Sequence, residues 1–162
     1  MAELTTLDEK LAEVLGLAQA AQVATKRVAT LARKQKETEL LELMNGMGDE
    51  AARVEQRCDV AAGTRDGMKS AITKKARETK AELTGFMKTY LEDAEALDGL
   101  EFLSMAEAGE LCHWEIVEKM SETIGAGDVQ QLATWAVGVQ REHVETVRRA
   151  SLWLAAHEAS AA

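Results

Sequence analysis

Proline is absent from the 162 residues, and aromatic side chains make up only 4% of them. Without proline no position breaks a helix from within, and the prevalence of Ala, Leu, Glu, Lys, Gln, Met and Arg leaves little to favour a strand. Cysteine is nearly absent too. Cys58 and Cys112 lie far apart in apolar helical contexts, which fits reduced core residues better than a disulfide framework, although a meeting in space stays open. No apolar run approaches the ~20 residues that a membrane-spanning helix requires. The start Met1-Ala-Glu-Leu-Thr5 lacks the basic beginning and apolar centre of a signal peptide, so a soluble, cytoplasmic protein is expected. Positive charge is in deficit: 19 Lys and Arg stand against 28 Asp and Glu, a net charge of -9. The basic residues are mixed among acidic ones, so the electrostatic footprint of a nucleic-acid binder is missing.

What the chain does have is 46% hydrophobic residues over a length that suits one core, so residues 1–162 are read as a single all-α domain. An alanine-rich, aromatic-poor interior suits helices packed closely side by side, that is, a bundle. Five helices follow from spacing and caps. Thr6-Leu-Asp-Glu9 reads as a capping box opening the first helix, to about residue 33, with the seam Leu7, Leu11, Val14, Ala18, Ala21, Thr25, Val28 and Ala32. Arg33-Lys-Gln-Lys-Glu37 is the turn. The second helix runs to about residue 62 on Leu40, Met44, Met47, Ala51, Val54, Cys58 and Ala61. Gly63 and Gly67 bracket the next break, and Met68, Ile72, Ala76, Thr79, Leu83, Phe86 and Tyr90 mark a third, more amphipathic helix. Asp98-Gly-Leu-Glu101 caps a fourth, ended near residue 124 by Gly125-Ala-Gly127. Asp128, with Gln131, caps a fifth that runs to about residue 157.

The run Glu110-Leu-Cys-His113 sets a carboxylate and an imidazole three residues apart, on one helix face and within reach of one ion. A seam of Leu103, Ala106, Glu110, His113, Val117, Met120 and Ile124 places both inward. On the last helix Val129, Leu132, Ala136, Gln140, His143, Val147, Ala150 and Leu154 do the same for Gln140 and His143. With a hairpin near Ala126 and a rise of about 1.5 Å per residue, the two pairs fall at similar depth. Glu110, His113 and His143 therefore form a two-histidine, one-carboxylate set suited to iron(II), zinc or manganese. A hydrogen-bonded network of the same groups is the equal alternative.

The segment Ala106-Glu-Ala-Gly-Glu-Leu-Cys-His113-Trp-Glu115-Ile116, after an amphipathic crossover helix and before a glycine turn and a final long helix, resembles the ferritin-like superfamily. The closest likeness is to the YciF-type bacterial stress proteins. The resemblance implies a four-helix core of helices one, two, four and five, with helix three as the crossover that lets helices two and four run parallel, and a di-iron or related metal centre. Such a centre takes a carboxylate from each of two helices and a Glu-x-x-His from each of the other two. Here the first helix presents only Leu, Val, Ala and Thr along its seam, with Glu13 beside it; the second offers Glu50 with Arg53 where a histidine would stand; the fifth has Gln140 for a glutamate, with Glu142 adjacent. Glu50 and Glu142 are thus the candidate further ligands of a degenerate site holding one metal or none. The expected function is an iron- or oxidant-handling metal protein, with a second copy of the chain as partner in a dimer. The alternatives are a metal-free structural or oligomerising bundle, and a haem pocket in which His113 or His143 pairs with Met44, Met47 or Met120, a reading that no haem-attachment motif supports. His157 is expected to be solvated, and Trp114, Trp135 and Trp153 to fill grooves between helices or subunits.

Overall fold

The computed structural model describes residues 3–161, which form five helices and, among the described residues, no strand. These are α1 (Thr6–Lys34), α2 (Thr38–Thr64), α3 (Lys69–Tyr90), α4 (Ala96–Ile124) and α5 (Gly127–Ala161). The α1 capping box begins one residue earlier than the sequence spacing predicts. Thr5 is the cap, its Oγ1 accepting from the Asp8 amide at 3.2 Å while the Asp8 carboxylate accepts from the Thr5 amide at 3.2 Å. Likewise α4 starts at Ala96, and Asp98 sits inside its first turn, accepting from the Glu95 amide at 2.8 Å. The α1–α2 turn places Lys36 in the left-handed region (φ 63°), and α4 ends on Gly125 (φ 72°), where a side chain would be strained.

Helix directions follow from contacts. The ideal Cβ of Gly16 would lie 2.5 Å from the Ala76 carbonyl oxygen and 2.7 Å from Thr79 Cβ, so α1 and α3 touch backbone to backbone there. Farther along, Arg27 donates to the Leu91 carbonyl at 2.9 Å, so α3 runs parallel to α1. Helix α4 starts beside the far end of α1, where the Ala96 amide donates to Gln35 Oε1 at 2.6 Å, and returns antiparallel to it. Thr134 to Glu118 (2.7 Å) and Arg141 to Glu115 (3.0 Å) set α5 antiparallel to α4. Thr64 donating to Asp128 at 2.9 Å joins the end of α2 to the start of α5. Consequently α2 and α4 run parallel and α3 is the crossover between them.

The core falls into two apolar clusters. One gathers Leu11, Val14, Val54, Trp114, Val117 and Ala136; the other gathers Val28, Met44, Leu100, Leu103, Val147 and Leu154. Between them the bundle carries a polar layer, with Glu107, Glu110, Gln140 and His143 all buried. The seams of α1, α2 and α5 agree with the spacing in the sequence, apart from Ala150, which is half-buried. That of α4 differs. Leu103, Glu110 and Val117 are buried as expected, but the positions between them are Glu107 and Trp114, followed by Ser121, rather than Ala106, His113 and Met120, and Ile124, expected at the end of the seam, is exposed. A one-residue step turns a helix by about 100°. Trp114, with the largest apolar surface on this helix, takes the inward place and carries His113 to the flank. Cys58 is buried, whereas Cys112 is exposed, contrary to its expected core position; both are free thiols.

No helix among the described residues is long and apolar enough to cross a membrane. His157 is exposed and stacks on Trp153, while Arg57 lies 3.8 Å over the Trp135 ring.

Candidate functional site

The polar layer draws on three helices. On α4, Glu107 and Glu110 are one turn apart on the buried stripe that also holds Trp114; on α5, Gln140 and His143 have the same spacing. Helix α2 supplies Glu50, whose side chain is 39% exposed and reaches the layer from the edge.

His143 is the hub. Its side chain is 4% exposed, with Nε2 2.6 Å from Glu50 Oε2 and Nδ1 3.2 Å from Glu107 Oε2. Burial alone would depress the imidazole pKa; the hydrogen bonds and charges of Glu107 and Glu50 outweigh it and hold the group at about 9. At neutral pH the ring is an imidazolium donating to a carboxylate from each nitrogen.

Glu110 behaves in the opposite manner. Burial, reinforced by the negative charge of Glu107, pushes its pKa up to about 8, against the weaker pull of Gln140, Trp114 and His143. It is therefore a neutral carboxylic acid at pH 7, accepting from Trp114 Nε1 at 3.4 Å. Buried Gln140 Oε1 has no hydrogen-bond partner. Beside the layer, burial raises the Cys58 thiol pKa well above its usual value, and the Glu110 charge adds to that.

Outward from His143, a groove between α2 and α5 opens to solvent past Glu42, Asp49, Glu50 and Glu142, with Arg53 the one cation on its rim. Four carboxylates against one guanidinium and the His143 imidazolium leave the groove net negative, which favours the approach of cations.

Of the residues singled out in the sequence, Glu50, Glu110 and His143 meet in this layer, whereas Glu142 stands exposed on the groove rim. His113 does not join them. Its side chain is 39% exposed, Nδ1 donates to the Gly109 carbonyl at 2.8 Å, and Nε2 lies 3.7 Å from Glu13. The expected pair of facing imidazoles is replaced by one imidazole between carboxylates. Glu107 was missed. Its signal was present in the spacing Glu107, Glu110, Trp114, which becomes the buried stripe once the largest apolar residue is required to face inward.

A dinuclear centre of the kind the resemblance implies does not fit these donors. At this depth α1 presents Ala18, Ala21, Ala24 and Thr25, and the Thr25 hydroxyl is already donated to the Ala21 carbonyl at 2.8 Å. Helix α1 adds no carboxylate, and only one imidazole reaches the layer. Among the described residues no three His, Cys, Asp or Glu side chains are already gathered for a metal ion; Glu50 and Glu107 approach the His143 ring from opposite sides. A single ion suits the donor set better. Glu107 and His143, with Glu110 in the same layer, would be its donors, and Glu50, at the other ring nitrogen, would orient the imidazole as carboxylate–histidine pairs do in metal sites. The unpartnered Gln140 Oε1 is a further oxygen donor in the same layer.

No family model matches the chain, and no curated protein or solved structure was found to match it.

Proposed function

We propose that the chain is a ferritin-like bundle that binds one divalent transition-metal ion in its core through Glu107, Glu110 and His143, with Glu50 orienting the imidazole. The observation that carries this reading is a buried histidine held between Glu107 and Glu50, with Glu110 buried in the same layer and an acidic groove leading outward. Carboxylate and imidazole donors suit iron(II), manganese or zinc. Chain topology supports the resemblance, since α2 and α4 run parallel across the α3 crossover. In the metal-free arrangement protons on His143 and Glu110 offset the charge that one divalent ion would neutralise. Iron or oxidant handling is the role this class of site would serve.

A second reading has an observation of its own. Both His143 nitrogens already have carboxylate partners, so the cluster can serve a metal-free bundle as a device fixing helix register.

Equilibrium dialysis of the purified protein against manganese(II), zinc(II) or anaerobic iron(II) distinguishes the two. One ion per chain, lost in His143→Gln and Glu107→Gln but kept in His113→Gln, is the expected result. No retained ion, or retention unaffected by His143→Gln, leaves the structural reading.

A further inference from the structure

Between α1, α3 and α4 lies a cavity of about 230 Å³, walled by Leu17 and Ala21, Leu83 and Met87, and Phe102 and Leu103. It exists because α1 turns Ala20, Ala21 and Ala24 towards α3 and α4 where longer side chains would have filled the space. Phe86 and Met105, 57% and 51% exposed, stand at its mouth, and the Phe86 ring packs 6.0 Å from both Phe102 and Tyr90. Its inner end reaches Glu107 and Glu110. On the α3 wall the Thr84 hydroxyl oxygen is withdrawn from solvent with no hydrogen-bond partner.

Close-packed interiors hold few voids larger than a water molecule, and a lining this apolar offers water few partners. An apolar void of about 150 Å³ takes up benzene, so this one scales to a molecule of about nine carbons. A void of this size, open through an aromatic mouth and ending on polar groups, has the form of a ligand pocket. The polar groups choose the head. A hydroxyl both donates and accepts, and so can meet the Thr84 hydroxyl or a carboxyl oxygen. A carboxylate head would be brought up to Glu107 and repelled, and the one imidazole of the lining, His113, already faces the Gly109 carbonyl and Glu13.

We infer that this cavity binds one small, mainly hydrocarbon molecule with an uncharged hydroxyl head, such as a medium-chain alcohol. The preference for an uncharged head is that of the metal-free protein, since a divalent ion on Glu107 and Glu110 would neutralise the charge that repels a carboxylate.

The test uses chelator-treated full-length protein at pH 7, with 1-octanol and sodium octanoate as probes and the methyl resonance of buried Met87 as readout. Expected are saturable shifts with octanol and at least tenfold weaker binding of octanoate. Gly109 lines the cavity, and a Cβ there would meet nothing within 4 Å, so Gly109→Leu should fold and lose the octanol response. Independently, the near-isosteric Thr84→Val should weaken octanol several-fold and leave toluene binding unchanged. The inference is overturned by an absent or non-saturating response, by octanoate binding as well as octanol, or by a full response in folded Gly109→Leu. A silent wild type that sediments as a dimer also overturns it and assigns the aromatic mouth to a second copy.

Discussion

His143 Nδ1 lies 3.2 Å from Oε2 of Glu107, and both side chains are removed from solvent, at 4% and 1% exposure. Neither group would be stable there alone, because a buried charge without a partner costs several kcal/mol. The carboxylate keeps the imidazole protonated and the imidazolium keeps the carboxylate tolerable. Glu50 closes the other ring nitrogen.

Replacing His143 with alanine leaves Glu107 buried without its cation. A loss of about 3–5 kcal/mol at pH 7 is expected in urea unfolding of metal-free protein. A loss below about 1 kcal/mol would mean that the pair is not formed.

The pH dependence has a definite sign. Glu110 is raised from 4.5 to about 8 and His143 from 6.5 to about 9, so the folded state of the metal-free protein holds protons that the unfolded chain has released. This contribution is fully present below pH 4.5 for Glu110 and below pH 6.5 for His143, and is lost as pH rises through 8 and 9 respectively. Each pH unit over which only the folded state keeps one proton weakens it by about 1.4 kcal/mol, so unfolding free energy should fall by several kcal/mol between neutral pH and pH 9. Glu110→Gln, which keeps the neutral shape, should flatten the curve and be the more stable protein at pH 9. A parallel curve for the variant would contradict the assignment of Glu110 as a neutral acid.

The phase of α4 is tested by two adjacent residues. Trp114→Ala should cost about 3–5 kcal/mol by emptying a fully buried site, whereas His113→Ala should stay within about 0.5–1 kcal/mol. The reverse order would restore the inward histidine.

Gly16→Ala should destabilise by about 1–3 kcal/mol, because its methyl group would meet the Ala76 carbonyl oxygen and Thr79 and push α3 off α1. A neutral or stabilising change would show that the two helices are not in backbone contact.

The sequence made most of this architecture legible; on α3 the expected seam holds at Ile72 and Ala76 but ends on buried Met87, with Phe86 and Tyr90 exposed, while the exceptions on α4 and at the α1 cap share a cause. On α2 every expected seam residue from Leu40 to Ala61 is buried, because apolar side chains alone fill that stripe. On α4 two alternations pass through Leu103, Glu110 and Val117. One adds Ala106, His113 and Met120; the other adds Glu107, Trp114 and Ser121. The alternation through Glu107 and Ser121 is the more polar of the two and is nevertheless buried, since Glu107 is paired with His143 and the Ser121 hydroxyl is donated to the Val117 carbonyl at 2.8 Å. Polarity misleads where a polar group finds its partner on another helix or its own backbone, and such partners are set by tertiary packing. The shift of the α1 capping box from Thr6 to Thr5 is the same effect at one residue's scale, as Asp8 also receives Arg65 from the end of α2 at 2.7 Å.

The most direct measurement is pulsed electron paramagnetic resonance of the protein loaded with one equivalent of manganese(II). A single coupled imidazole nitrogen is expected, unchanged in His113→Gln and absent from His143→Gln. Two coupled imidazoles, or none in the wild type, would contradict a core site built on His143.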